Sequence, residues 1–162
     1  MALFPQRSNG SNDNLLWMKF NELVTLLNRS FTGNNKFIPT IRGSTANGTW
    51  TYTTQQGNYS KNGATCFISI RIKVATIAGS PTGTLDIVGL PYPASADSGG
   101  LFTVMPSGLS WGVGATQIVG WCPAGSTVMN LYSCTNNGAF SVIPIGNLLA
   151  TDEIIIQGKY FI

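Results

Sequence analysis

Acid–base chemistry in this 162-residue chain would have to come from carboxylates, because the sequence holds no histidine. That absence excludes Ser-His-Asp and Cys-His nucleophiles and any imidazole metal ligand. Residues 37–162 offer Asp86, Asp97, Asp152 and Glu153. A glycosidase needs two carboxyls about 5 to 9.5 Å apart on either side of one bond. Asp152 and Glu153 are adjacent, so in a strand they point to opposite faces. Asp86 falls in the middle of an apolar run and Asp97 in a Ser-rich loop. All four are expected to be solvated charges rather than a catalytic pair. The three cysteines, Cys66, Cys122 and Cys134, are odd in number, which suits a chain made in a reducing cytosol. In neighbouring strands Cys122 and Cys134 would lie roughly 23 Å apart, far beyond disulfide reach. No catalytic residue, metal or cofactor is expected, and the chain is read as not an enzyme.

Binding chemistry is better represented. Trp111 sits in Pro-Ser-Gly-Leu-Ser-Trp-Gly-Val-Gly, a Gly-rich stretch without strand periodicity, and Asn136-Asn137-Gly138 forms a second turn. A loop tryptophan can stack on a ligand while asparagine amides hydrogen-bond it, so Trp111, Asn136 and Asn137 are the candidate ligand-facing residues. The alternative is a tryptophan folded back over the end of the domain. The acceptor patterns at Asn28, Asn47 and Asn58 follow from a composition rich in Asn, Ser and Thr.

Only 9% of residues are charged, against roughly 25% in an ordinary domain, so neutral polar groups must supply the wetted surface. Their placement is uneven. Residues 1–42 hold five basic and two acidic side chains; residues 43–162 hold four of each. From Ser98 to Thr151 no side chain is charged. Charges normally keep sheet surfaces from sticking together. An uncharged stretch of 54 residues therefore marks either a subunit-facing surface or a neutral sugar-binding one. The scattered net charge of +3 gives no footprint for nucleic acid. No apolar run approaches the ~18 residues of a membrane span, and the start shows no signal-peptide pattern.

The elements that must carry these residues follow from periodicity. Residues 1–10 read as an extended arm. Ser11, Asn12 and Asp13 suit a helix N-terminus, and a helix is expected from Asn14 to Asn28. Leu16, Phe20, Leu23 and Leu27 form its apolar seam, suited to a trimeric bundle or to docking in a larger assembly. Ser30–Lys36 is a linker. Thereafter the period is two, with strands expected at Thr49–Thr53, Cys66–Val74, Thr84–Val88, Leu101–Met105, Thr116–Cys122, Thr127–Cys134, Ala139–Ile143 and Glu153–Ile162. Gln56-Gly57 and Asn58-Tyr59-Ser60 follow the first of these, and Asn62-Gly63 reads as a hairpin turn. Eight to ten strands in about 125 residues predict an all-β fold, a jelly-roll-like antiparallel sandwich over residues 37–162 behind an anchoring arm, helix and linker over residues 1–36.

Phe37-Ile38-Pro39-Thr40-Ile41-Arg42-Gly43, the run Gly48–Gly63, the alternating strand after it, Gly89-Leu90-Pro91 and the closing Gly158-Lys159-Tyr160-Phe161-Ile162 occur in an order that resembles the small C-terminal β-domains of bacteriophage fibre and decoration proteins, notably from phages of cyanobacteria and marine bacteria. The resemblance implies a homotrimeric jelly-roll on the virion surface, assembled in the host cytoplasm. It implies a short tail- or baseplate-associated fibre whose residues 1–36 join tail, baseplate or capsid subunits and whose β-domain adheres to host-surface glycan. A head decoration or cement protein, or a head fibre, is the alternative within the same resemblance. A free-standing carbohydrate-binding module is the alternative outside it. Neither nucleic acid nor membrane insertion is implied.

Overall fold

Cys66, Ile68, Ile70, Ile72 and Val74 alternate with Phe67, Ser69, Arg71 and Lys73, and the first set is buried while the second faces outward. A strand half-sunk in a core has to alternate in this way. A computed structural model describes residues 17–24, 35–136 and 138–162. Its strands are β1 (Asn35–Phe37), β2 (Thr40–Gly43), β3 (Thr49–Asn62), β4 (Thr65–Ala78), β5 (Leu85–Val88), β6 (Gly100–Ser107), β7 (Ala115–Cys122), β8 (Val128–Thr135), β9 (Phe140–Val142) and β10 (Glu153–Phe161). One 3-10 turn, Ile145–Asn147, precedes β10. Residues 17–24 are helical, inside the expected span 14–28; the seam residues Leu16 and Leu27 lie outside the described residues.

The fold is all-β and antiparallel. All ten strands belong to one hydrogen-bonded sheet in the order β1-β3-β4-β10-β6-β7-β8-β5-β2, with β9 added beside β8. The ladder is a single path rather than two separate sheets, and it curls so that the β2–β5–β8 limb faces the β3–β4–β10 limb. Its two ends are joined by side chains. The Tyr52 hydroxyl on β3 accepts from the Ile41 amide on β2 at 3.0 Å, and Gln55 Nε2 donates to the Pro39 carbonyl at 2.9 Å. Both side chains point inward although they are three residues apart, because a bulge at Thr53 shifts the register between them.

Two expectations are revised here. The strand expected at Thr49–Thr53 is longer: β3 runs on through Gln56-Gly57 to Asn62. Gly57 lacks a side chain because Phe37 lies on it; a β-carbon there would come within 2.8 Å of the Phe37 ring. Lys36, expected to end a linker, pairs with Asn58 inside β1.

The core fills the curl. Ile70 and Ile72 of β4, Ile154 and Ile156 of β10, Phe102 of β6, Met129 and Leu131 of β8, and Leu85 and Ile87 of β5 are all at most 1% exposed. Phe102 has an unusual seat. Its cross-strand partners are Gly158 on β10 and Gly120 on β7, so both inward positions beside it are empty of side chains. The ring lies over Gly158 and Gly100, Met129 fills the space over Gly120, and the ring meets Tyr160 edge-on at 5.7 Å between centroids.

Tyr160 ties a loop to this core. Its hydroxyl donates to the Tyr92 carbonyl at 3.0 Å and accepts from the Tyr92 amide at 3.3 Å. Burial, and then the neighbouring Cys66 thiol, push its pKa far above the ordinary tyrosine value. The folded chain therefore holds this phenol neutral where the unfolded chain would ionise it. The contribution is complete below about pH 10 and is lost as the pH rises beyond that value. Tyr160→Phe is expected to flatten the alkaline limb of a stability-versus-pH curve measured by urea unfolding. An unchanged limb would remove Tyr160 as its source.

Candidate functional site

The register divides the domain into two ends. Asn35 pairs with Tyr59, Thr65 with Phe161, and the Ile162 amide donates to the Ala64 carbonyl at 2.8 Å. The chain thus enters the sheet, and finishes, near the β3–β4 turn. That turn has Gly63 in the left-handed region at φ 56°, as the Asn-Gly pair predicts. At the other end Ser107 pairs with Glu153 and Ala115 with Thr135. The β6–β7 loop carrying Trp111 and the β8–β9 loop carrying Asn136 therefore sit side by side, on the end away from residue 35. A 14-residue strand such as β4 spans roughly 45 Å at ~3.3 Å per residue.

Trp111 and Asn136 differ in setting. Trp111 is partly buried and packs against the core rather than standing free. Its neighbours hold it there: Leu109 is buried, and the Ser110 amide donates to the Asn147 carbonyl at 3.2 Å. Asn136 is exposed, as is Val113 at the loop tip. Asn137 lies outside the described residues. Gly108 opens the Trp111 loop at φ 92° and passes against Asp152, leaving no room for a side chain.

Two of the four carboxylates are not the solvated charges expected, while Asp97 is exposed. Asp86 is 2% exposed and Asp152 is 5% exposed. Asp86 Oδ1 accepts from Asn130 Nδ2 at 2.8 Å and from Thr84 Oγ1 at 3.0 Å, while Oδ2 lies 3.5 Å from Arg42 Nε. Asp152 Oδ2 accepts from the Leu149 amide at 2.7 Å and braces the turn before β10. Glu153 faces outward and pairs with Arg71, whose guanidinium holds the carboxyl below its ordinary pKa. Asp97 lies in a loop, its amide hydrogen-bonded to Ser95 Oγ. Among the described residues no cluster of His, Cys, Asp or Glu could hold a metal ion, and no helix is long and apolar enough to cross a membrane. All three thiols are free; Cys66 and Cys122 are buried, and burial raises the pKa of both.

The outer face of the sheet is also divided. Where β4 and β10 form it, it carries Arg71, Lys73, Glu153 and Lys159. Where β6 to β9 form it, it carries no charge. Leu101, Val119, Trp121, Tyr132 and Phe140 line a shallow apolar hollow of about 340 Å3 there. Leu101, Met105 and Phe140 are 62–69% exposed. This face comes from the uncharged stretch 98–151, but which of its apolar residues point outward depends on strand register, which composition does not reveal. The helical segment 17–24 likewise exposes Trp17, Met18, Phe20, Leu23 and Val24, with Trp17 and Phe20 stacked at 5.7 Å.

The sequence matches no family model and no curated protein. The fold is similar to part of the crystal structure of the Dettilon tailspike protein (gp208), with a TM-score of 0.64 and 20% identity over 78% of this chain. The matched region is 23% of that tailspike, so the chain spans about a quarter of its length.

Proposed function

We propose that this chain is a phage virion protein of the tail or adhesion type: a short homotrimeric fibre at the tail or baseplate, with host-surface glycan as its ligand. Residues 1–36 dock on tail, baseplate or capsid subunits, and the jelly-roll-like β-domain points its Trp111 and Asn136 loops outward. The observation that carries this is the opposition of ends: the chain enters the sheet at Asn35, beside the β3–β4 turn, while both loops lie at the far end. An anchored adhesin needs that polarity. The likeness of fold to a tailspike supports the same reading. So does the exposed apolar surface of residues 17–24, which suits burial against other subunits. No catalysis is part of the proposal: Asp86 and Asp152 are occupied as structural hydrogen-bond acceptors, and Glu153 is ion-paired with Arg71.

The test is a panel of immobilised bacterial surface polysaccharides probed with the labelled full chain. Binding to a subset is expected, weakened at least tenfold in a Trp111→Ala, Asn136→Ala double variant that still folds. Silence across the panel, together with immunolabelling on heads rather than tails, would replace adhesion with a head-decoration role.

A further inference from the structure

We propose that copies of this chain meet through the outer face of β6–β9. The proposal rests on the reading that the protein is a homotrimer and names the surface that makes it one. Strand alternation puts Leu101, Met105, Trp121, Tyr132, Phe140 and Val142 on this one face. Five of them are 39–69% exposed, and the sixth, Tyr132, is half-buried. Together they offer roughly 600 Å2 of accessible surface, at the top of the ~300–600 Å2 that the largest patch on a monomer reaches. A standard interface takes ~800 Å2 from each partner. Thr103 and Gln117 share the face and add no charge; Asn130, also on it, donates to Asp86, so the Arg42–Asp86 pair borders the face beyond β8.

The charge pattern selects the occupant. Around a rotation axis each side chain faces its own copies, so a charge near the axis meets like charges. A face that joins identical chains is best left without them. A face built for an anionic surface or a charged protein would carry complementary charge instead. The β6–β9 face carries none, whereas β4 and β10 next to it carry Arg71, Lys73, Glu153 and Lys159 on the same side. A contact confined to β6–β9 leaves those four at the wetted rim, the usual arrangement of an apolar interface core and a polar rim.

The native chain contains its own probe. Cys134 pairs with Gln117 and Phe140 on this face and is half-buried in the single chain, while Cys66 and Cys122 are 0% exposed in the core. Light scattering on the full chain at tens of micromolar should give about three times the 17.2 kDa chain mass. Leu101→Asp with Phe140→Asp should give one chain mass with circular dichroism unchanged. On unmodified protein, a maleimide should modify Cys134 at least tenfold more slowly in the assembly than after dilution to single chains. A double variant that stays assembled, or a Cys134 that reacts equally fast in both states, overturns the assignment of the face. Should the double variant not fold, the maleimide rates on native protein decide alone. If Phe20→Glu with Leu23→Glu dissociates the assembly while the β6–β9 variant does not, the trimer stands and the helix rather than this face holds it. A single-chain mass for the native protein overturns trimer and face together.

Discussion

Phe102→Ala is expected to destabilise the domain by about 4 kcal/mol, the middle of the ~3–5 kcal/mol range for removing a buried phenylalanine. The size of such a loss depends on how far the site can collapse. Here it cannot collapse far. The ring is 1% exposed, and its flanking inward positions are Gly158 and Gly120, so neither strand neighbour can swing into the void, and any relief must come from Met129, which lies over Gly120. A β-carbon at Gly158 would come within 2.7 Å of the present ring. The edge-on contact with Tyr160 is lost as well, worth ~1 kcal/mol beyond area burial. Urea unfolding at fixed protein concentration measures the effect. A loss under 1.5 kcal/mol would mean that the sheet closes over the gap. Adding Gly158→Ala to Phe102→Ala should recover part of the loss, although Gly158→Ala alone should destabilise by crowding the ring.

Asp86→Ala is expected to cost about 2–3 kcal/mol, the range for hydrogen bonds to a buried charge. Arg42, Asp86 and Asn130 lie side by side across β2, β5 and β8 as paired residues. Removing the carboxylate strands the Asn130 amide and the Thr84 hydroxyl, which both donate to it. It also leaves Arg42 Nε, itself out of contact with water, without its counter-charge. The rest of the Arg42 side chain is 40% exposed and can regain water, which keeps the loss below that of a fully buried pair. Asp86→Asn should lose less than Asp86→Ala, because its amide oxygen can still accept from Asn130. Equal losses in the two variants would show that the charge, not the hydrogen bonds, matters. The thermal midpoint should fall in the same order.

How much of this was legible in the residues depends on the range of the interaction involved. The alternation Cys66–Val74 is a local pattern, and β4 lies across it, longer by a few residues at its C-terminal end. The Asn62-Gly63 turn is equally local. The strand expected at Thr49–Thr53 instead runs on through Gly57, where the need for glycine comes from Phe37 packing on it from 20 residues away. Asp86 read as a solvated charge because Arg42 and Asn130, 44 residues off on either side, are recognisable as partners only once β2, β5 and β8 are adjacent. Trp111 is held down by a backbone bond from Ser110 to Asn147, a contact that no spacing foretells.

The sequence by itself determined the all-β class, most strand positions and the division of charge between residues 1–42 and the uncharged stretch 98–151. These follow from period-two patterning and composition, which act along the chain. Only the tertiary structure decided that the Trp111 and Asn136 loops share an end opposite the point where the chain enters, that two carboxylates are buried acceptors, and that the uncharged stretch presents an apolar outer face. Each of those depends on which strand lies beside which, and residues far apart in the chain become neighbours only through that pairing.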